Sequence, residues 1–441
     1  MLDIKFIREN KEKVKDAIRN KGIDLNLDLL LKLDQDRLAI LQEIEELHSL
    51  KNDLNDIVKN AKDEAEKKEA IEKGKDIKKK LEEKEPIAKK IQEEFEALMV
   101  KVPTIPSPDT PIGKSEKENK EVGKWGKVPK FSFSVKDHIE IGKNLDILDL
   151  EKGVKVSGYR GYYLKNEGAM LIMALMNWAF QKMVSKGFTP MIPPTLVKGF
   201  ALFGSGYFKG AEYNSEVDEV YQIASGDKEA NGQIAKENKF LVGTAEPSLL
   251  AYYSGDVLKE EDLPIKACGY SQCYRSEIGS YGKDTRGLYR VHEFMKVEQI
   301  VICEADVKES DKLQEEMVKL SKEMLEDLKL PYRQIQICTG DMGPGKYKMF
   351  DLEVWIPSRN GYGESHSASN FLDWQARRLN VKYVDKNGKK QYVYMLNNTV
   401  LATPRIFIAI LENFQQKDGS VKIPEVLKKF MPKGMDVFKK K

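Results

Sequence analysis

Cysteine is nearly missing from this chain: four residues in 441 (Cys268, Cys273, Cys303 and Cys338), none of them in a Cys-x-x-Cys pair. Only His292 and His366 share the second half of the chain with them. That spacing gives neither a disulfide framework nor a structural zinc site, and predicts reduced, buried thiols in a cytoplasmic protein. Long apolar runs are missing too. The most apolar stretch, Ala169–Phe180, contains Asn177 and is shorter than the roughly 20 residues that span a bilayer, so no membrane is expected as a partner. Its Met170, Met173 and Met176 recur at helical spacing and predict a core helix. The opening Met1-Leu-Asp-Ile-Lys carries acid and lacks the apolar centre of a signal peptide. A large net charge is absent as well: 32% of residues are charged, yet the balance is +3. Charge is therefore arranged locally, and its total neither requires nor excludes a nucleic acid.

Residues 1–101 read as a separate arm. They are rich in Lys, Glu, Leu and Ile, with Pro86 as their one proline and Gly22 and Gly74 as their glycines. Leu30, Leu33, Ile40, Ile44, Leu47, Leu54 and Val58 follow heptad steps, broken at Arg37 and Lys51. A second series runs Ile77, Leu81, Ala88, Ile91, Phe95 and Leu98, broken at Lys84. Such seams pack helix on helix. Between them Lys59–Lys75 has Ile71 as its one large apolar residue, so it is expected to be the tip of an antiparallel hairpin projecting about 40 Å. By pattern alone a dimerising coiled coil fits equally well. Acidic residues slightly outnumber basic ones here, so an RNA would have to be held by local lysine stripes and shape.

The proline-punctuated stretch from Val102 to Pro111 opens a linker, 102–125. Beyond it, 126–441 shifts towards Gly, Tyr, Phe and Pro. Alternation predicts strands at Lys130–Val135, Leu241–Thr244, Tyr289–Cys303 and Tyr332–Cys338, and helices at Ala169–Lys186, Asp306–Leu328 and Ala402–Gln416. Strands and helices without a strict βα repeat imply an α+β domain around an antiparallel sheet.

The segment Cys273–Glu298 carries the chemistry. Arg275 and Glu277, two apart, would share a strand face. Gly279–Gly287 reads as a glycine-punctuated loop. Arg290, His292, Phe294, Lys296 and Glu298 would then alternate on one face of the next strand, with Val291, Met295 and Val297 behind them. A solvated face laced with salt bridges is the plain alternative, but it has no need of a Phe among arginines. The functional reading is a nucleotide platform: Arg275 forks onto a phosphate, Phe294 and Arg290 stack a purine, and Glu277 accepts from an exocyclic amine. Gly243-Thr-Ala-Glu246 adds a hydroxyl and a carboxylate. Gly363–Asn370 groups Glu364 with small hydroxyl side chains, a hard-cation environment. Pro404 opens a helix that carries Arg405 in its first turn, which strengthens an anion site.

These residues resemble class II aminoacyl-tRNA synthetases, specifically the seryl-tRNA synthetase family, over nearly the whole chain. The opening ten residues resemble that family's start, and the helical hairpin resembles its tRNA-binding arm. Phe188–Thr195 resembles motif 1, Arg275–Glu298 motif 2 and Asn397–Gln415 motif 3, with Phe371–Arg378 as a further signature. The resemblance implies an ATP-dependent ligase that activates L-serine and charges tRNA(Ser), with Mg²⁺ and as a homodimer. It implies ATP contacts from Arg275, Ser276, Glu277, Arg290, Val291, His292, Glu293, Phe294, Glu364, Ser365, His366, Ser367 and Arg405. Thr244, Ala245, Glu246, Glu298, Asn397 and Thr399 would hold serine, Glu364 and Ser367 the metal, and Arg275, Glu364 and Arg405 the transition state. The arm and the 279–287 loop would meet the tRNA. His366 and Ala368 depart from the family's more usual Ser and Cys, and Asn398-Thr399 and Thr403-Pro404 from a glycine-rich motif 3. Two other readings are weighed against this one. A paralogue that loads a carrier protein should lack the long hairpin, and a non-catalytic scaffold should have lost Arg275, Glu277 or Arg405.

Overall fold

The computed structural model describes residues 1–224, 226, 232–233, 237–278 and 286–440. They divide into two compact units. One comprises Leu2–Arg19 and Ile23–Val102; the other comprises Met1, Asn20–Gly22 and Pro103–Lys441.

The first unit is built on two long helices, Leu27–Asn60 and Glu64–Met99. Each begins at a side-chain cap: Asn26 accepts from the Leu29 amide and Asp63 from the Ala65 amide, which satisfies amides that a helix start leaves unpaired. They run antiparallel. Arg37 lies over the Phe95 ring at 4.7 Å, Glu43 pairs with Lys84, and His48 meets Glu85 at 3.6 Å. At 1.5 Å per residue each helix is about 50 Å long. The turn is shorter than the apolar pattern implied. It occupies Ala61–Asp63, and the stretch from Glu64 to Lys75 is helical. Ala, Glu and Lys favour helix without any apolar stripe, and pairs such as Glu69–Lys73 (2.7 Å) link successive turns. At the other end of the hairpin, Asp34 is buried between Arg8 (2.6 Å) and Arg37 (3.0 Å).

The second unit is α+β. Among its described residues, eight strands form the main sheet: β1 (Lys120–Trp125), β2 (Thr189–Met191), β3 (Ile265–Tyr274), β4 (Glu293–Cys303), β5 (Tyr332–Gln336), β6 (Lys348–Ile356), β7 (Gly361–Asn370) and β8 (Tyr394–Ala402). Their order is β1-β5-β6-β7-β8-β4-β3-β2. Every neighbouring pair is antiparallel except β2 with β3. The helices Asn166–Ser185, Val307–Asp327 and Thr403–Asn413 lie where 3.6-residue periodicity placed them, and pack on the sheet. Lys130–Val135 is not a strand; the strand of that region is β1, which pairs along the edge with β5. The strand expected at Leu241–Thr244 covers Lys239–Leu241 instead.

Strand β4 shows how the sheet makes both a core and a site. Val297, Val301 and Cys303 face the main core. On the opposite side Phe294, Lys296 and Glu298 line a cleft, and Ile300 and Ile302 continue that row into a second core with Leu249, Leu250 and Met395. A period of two sorts charged from apolar side chains along one strand. All four cysteines are free and buried. No helix among the described residues is long and apolar enough to cross a membrane.

Candidate active site

One cleft of about 390 Å³ opens over this face of the sheet. At one end lies a buried carboxylate. Glu246 begins the short helix Glu246–Ala251, with Pro247 fixing the first turn. Its Oε1 accepts from Asn397 Nδ2 at 2.6 Å and Gln375 Nε2 at 2.7 Å, and its Oε2 from the Tyr207 hydroxyl at 3.4 Å. Burial, and then the charge of Glu298, push its pKa up to about 7. The β4–β8 register sets Thr399 directly opposite Glu298. Thr399 Oγ1 donates to Glu298 Oε2 at 3.3 Å, and Lys296 Nζ reaches the same oxygen at 2.6 Å.

Guanidinium groups gather at the other end. Arg275 follows β3; its Nε donates to the Gly243 carbonyl at 3.2 Å and its Cζ lies 5.4 Å from the Phe294 ring centre. Arg290 pairs with Glu277 at 2.7 Å. Arg405, in the first turn of Thr403–Asn413, pairs with Glu364 at 3.1 Å and lies over the Tyr289 ring at 4.7 Å. Glu364 is half exposed to the cleft, so its desolvation is partial. Burial would raise its pKa, but Arg405 and Arg275 outweigh that and hold it below the usual carboxylate range.

Arg275 and Glu277 do not share a strand face as their spacing suggested. The strand ends at Tyr274, and Glu277 takes a left-handed conformation (φ 54°) that turns it back towards Arg290. Arg290 and His292 likewise precede β4.

Thirteen of the nineteen residues given an ATP or serine contact from the sequence line the cleft: Glu246, Arg275, Glu277, Arg290, Val291, Phe294, Glu298, Glu364, Ser365, Ser367, Asn397, Thr399 and Arg405. Val291, expected behind the strand, faces in. Six others do not line it. Thr244 is buried, its Oγ1 3.5 Å from the Glu246 amide, and Ala245 packs in the second core. The Ser276 hydroxyl is buried with no partner among the described residues. His292 Nδ1 bonds to the Arg275 carbonyl at 2.8 Å. Glu293 points outward to Gln272 at 2.8 Å, because alternation along β4 turns it away from Phe294. His366 is buried between Ser365 Oγ (2.8 Å) and the Val400 carbonyl (2.9 Å). Burial lowers its pKa to about 4, so it is neutral and ties β7 to β8. Of the 279–287 loop, 279–285 lie outside the described residues.

Other cleft residues carried no site assignment from the sequence. Tyr207, Tyr289 and Lys346 line it, and Gln375 stands behind Glu246. Tyr289 and Gln375 belong to segments singled out from the sequence; Tyr207 and Lys346 do not. Beside Glu364, Asp351 pairs with Ser367 across β6 and β7, and its Oδ1 has no hydrogen-bond partner among the described residues. Among the described residues, no group of three His, Cys, Asp or Glu side chains could hold a metal. Glu364 and Ser367 line the cleft and carry oxygen atoms, the donor type that a hard cation takes.

Residues 229–414 match the tRNA synthetase class II core domain (G, H, P, S and T), and residues 1–106 the seryl-tRNA synthetase N-terminal domain. The chain is 41% identical to the serine–tRNA ligase of Borrelia garinii subsp. bavariensis, with 100% of both chains covered. It is 41% identical to that of Deinococcus radiodurans, with 98% of this chain and 97% of the relative covered. The solved seryl-tRNA synthetase of Pyrococcus horikoshii, complexed with ATP, superposes with a TM-score of 0.87 at 35% identity, covering 99% of each chain. A buried carboxylate with its donors at one end of the cleft, guanidiniums at the other and these full-length likenesses agree: the chain belongs to the seryl-tRNA synthetase family of class II aminoacyl-tRNA synthetases.

Proposed function

We propose that this chain activates L-serine with ATP and transfers the seryl group to the 3′-terminal adenosine of tRNA(Ser). The observation that carries this reading is the pairing, in one cleft, of two carboxylates able to accept from an amino acid with three guanidiniums able to hold a triphosphate. A serine carboxylate oxygen attacks the α-phosphorus in line; the new P–O bond forms as the bond to pyrophosphate breaks. Arg275 meets the developing charge on the equatorial oxygens, and Arg405 steadies the leaving pyrophosphate. Phe294 stacks the adenine, and Glu277, oriented by Arg290, accepts from its amine. Glu364 and Ser367 would hold Mg²⁺, whose charge when bound offsets that of the phosphates. Then a ribose hydroxyl of the terminal adenosine attacks the acyl carbon, and AMP leaves. No protein nucleophile is needed, because positioning supplies much of the rate.

Glu246, with Glu298 and Thr399, selects serine. The polar partners of its ammonium and hydroxyl would be left unpaired by an analogue lacking either. Thr244 and Ala245 act from behind, shaping the backbone under Glu246. The hairpin of residues 27–99 and the 279–287 loop carry the tRNA. A homodimer is proposed through the Phe188–Thr195 segment, where Ile192 is 80% exposed. The four free, buried cysteines suit a reducing cytoplasm.

The test is charging of unfractionated tRNA with radiolabelled amino acids. Acid-precipitable label with serine and none with alanine or threonine supports the reading. Charging with another amino acid in preference to serine overturns it.

A further inference from the structure

The loop Gly343–Lys346 enters the cleft just before β6, and it is pinned from several sides. A Cβ on Gly345 would stand 2.6 Å from the Trp374 indole, so only glycine allows that approach. The buried Lys21 Nζ donates to the Pro344 carbonyl at 3.0 Å and the Lys346 carbonyl at 2.6 Å. The Thr104 amide donates to the Pro344 carbonyl at 2.9 Å. With its backbone fixed, this loop presents the Lys346 side chain to the cleft.

Five other cations line the cleft; Lys209 is exposed to solvent, and the remaining four have anionic or carbonyl partners. Lys296 is held by Glu298, Arg290 by Glu277, Arg405 by Glu364, and Arg275 donates to a carbonyl. Lys346 differs. Among the described residues its ammonium makes no ion pair, and its hydrogen bond goes to the Met349 thioether at 3.1 Å, a weak acceptor. The sheet register shows which end of the cleft this is. Met349 pairs with Ser369, and Ser369 with Asn397, in one cross-strand row. That row ends at Glu246 through the 2.6 Å Asn397 bond. Lys346 therefore stands over the amino-acid end, where two carboxylates, Glu246 and Glu298, await an ammonium and a hydroxyl. A zwitterionic amino acid also brings a carboxylate, and Lys296 is already committed to Glu298.

We propose that the Lys346 ammonium pairs with the carboxylate of the bound amino acid and so lets one anion approach another, the α-phosphate. The inference rests on the reading of Glu246 and Glu298 as the serine pocket. A Lys side chain suits this role, because its compact point charge keeps one contact as the carboxylate becomes an acyl phosphate.

The test compares the full-length protein with Lys346→Met, Lys346→Gln and Lys346→Arg, each checked by circular dichroism. Serine-dependent pyrophosphate exchange gives KM for serine and for ATP, and calorimetry gives the affinities for L-serine and for L-serinamide, which lacks the carboxylate. Removing the charge should raise the serine KM by about tenfold or more, leave the ATP KM and the serinamide affinity nearly unchanged, and be largely reversed by Arg. Equal losses for serine and serinamide, a rise in the ATP KM alone, or an unchanged serine KM in both neutral variants would overturn it. A wild-type protein without serine-dependent exchange would instead overturn the proposed function, and this inference with it.

Discussion

Asn397 Nδ2 lies 2.6 Å from Glu246 Oε1, and this bond ties strand β8 to a helix start that is 151 residues away in sequence. With Gln375 on the same oxygen, it holds a buried carboxylate ready to accept a cation. Substituting Glu246→Gln keeps the volume and removes the charge. Serine KM should rise at least about tenfold, as expected for a lost hydrogen bond to a charged group, while ATP KM stays close to wild type. Steady-state exchange with each substrate varied in turn reads the split, and a parallel rise in both constants would argue against the assignment.

The same residue sets a pH dependence. Its pKa is raised to about 7, by burial first and Glu298 second. Below that pH the free enzyme carries Glu246 protonated and cannot pair with an ammonium. The kcat/KM for serine should therefore fall by about tenfold per pH unit below 7, and in Glu246→Gln this limb should disappear. The folded state also holds this proton more tightly than the unfolded chain, so the group favours stability in acid. That contribution is lost as pH rises from about 4.5, the ordinary value, through about 7.

Arg275→Ala removes the guanidinium next to the expected α-phosphate. Adenylation should fall by at least about tenfold in a protein that still folds, because Arg275 lies beyond the end of β3 and takes no part in its ladder. Single-turnover formation of labelled adenylate checks it, and an unchanged rate would remove Arg275 from the chemistry.

Gly287 makes a structural prediction. Its φ is 72°, and a Cβ there would stand 2.1 Å from His138 Nε2, the atom that accepts from the Leu288 amide. Gly287→Ala combines left-handed strain, about 1–2 kcal/mol for an L-residue, with a collision against a ring held by buried Glu412 at 3.1 Å. Thermal unfolding should begin at lower temperature, and ATP affinity should drop because Tyr289 and Arg290 follow directly.

Shortening the hairpin tests whether tRNA binding is separable from chemistry. Residues 45–82 can be removed and the helices rejoined by a short turn beyond the Glu43–Lys84 pair, leaving the Asp34 cluster intact. Serine-dependent exchange should persist while tRNA charging collapses through weaker tRNA binding, and binding by the intact protein should weaken with salt. A shortened chain that charges tRNA normally would make the hairpin an interaction element only.

Much of this was legible in the sequence because it rests on local periodicity. The heptad series gave both long helices, and the alternation from Phe294 to Glu298 gave the cleft face of β4. What escaped depends on tertiary context. The hairpin tip was drawn too wide because the polar stretch Glu64–Lys75 is helical without an apolar stripe. Glu277 departs from strand geometry through a left-handed residue that spacing cannot reveal. His366 and Glu293 alternate with cleft residues and so face away. Lys346 was missed because its loop reaches the cleft through Gly345 against Trp374 and through Lys21 and Thr104, contacts between segments far apart in the chain.

Amino-acid-dependent ATP–pyrophosphate exchange across a panel of amino acids tests the central claim most directly. Serine should drive exchange far better than alanine, glycine or threonine, because only serine satisfies the partners at Glu246, Glu298 and Thr399 without crowding them. Equal exchange with alanine, or none with serine, would contradict the account.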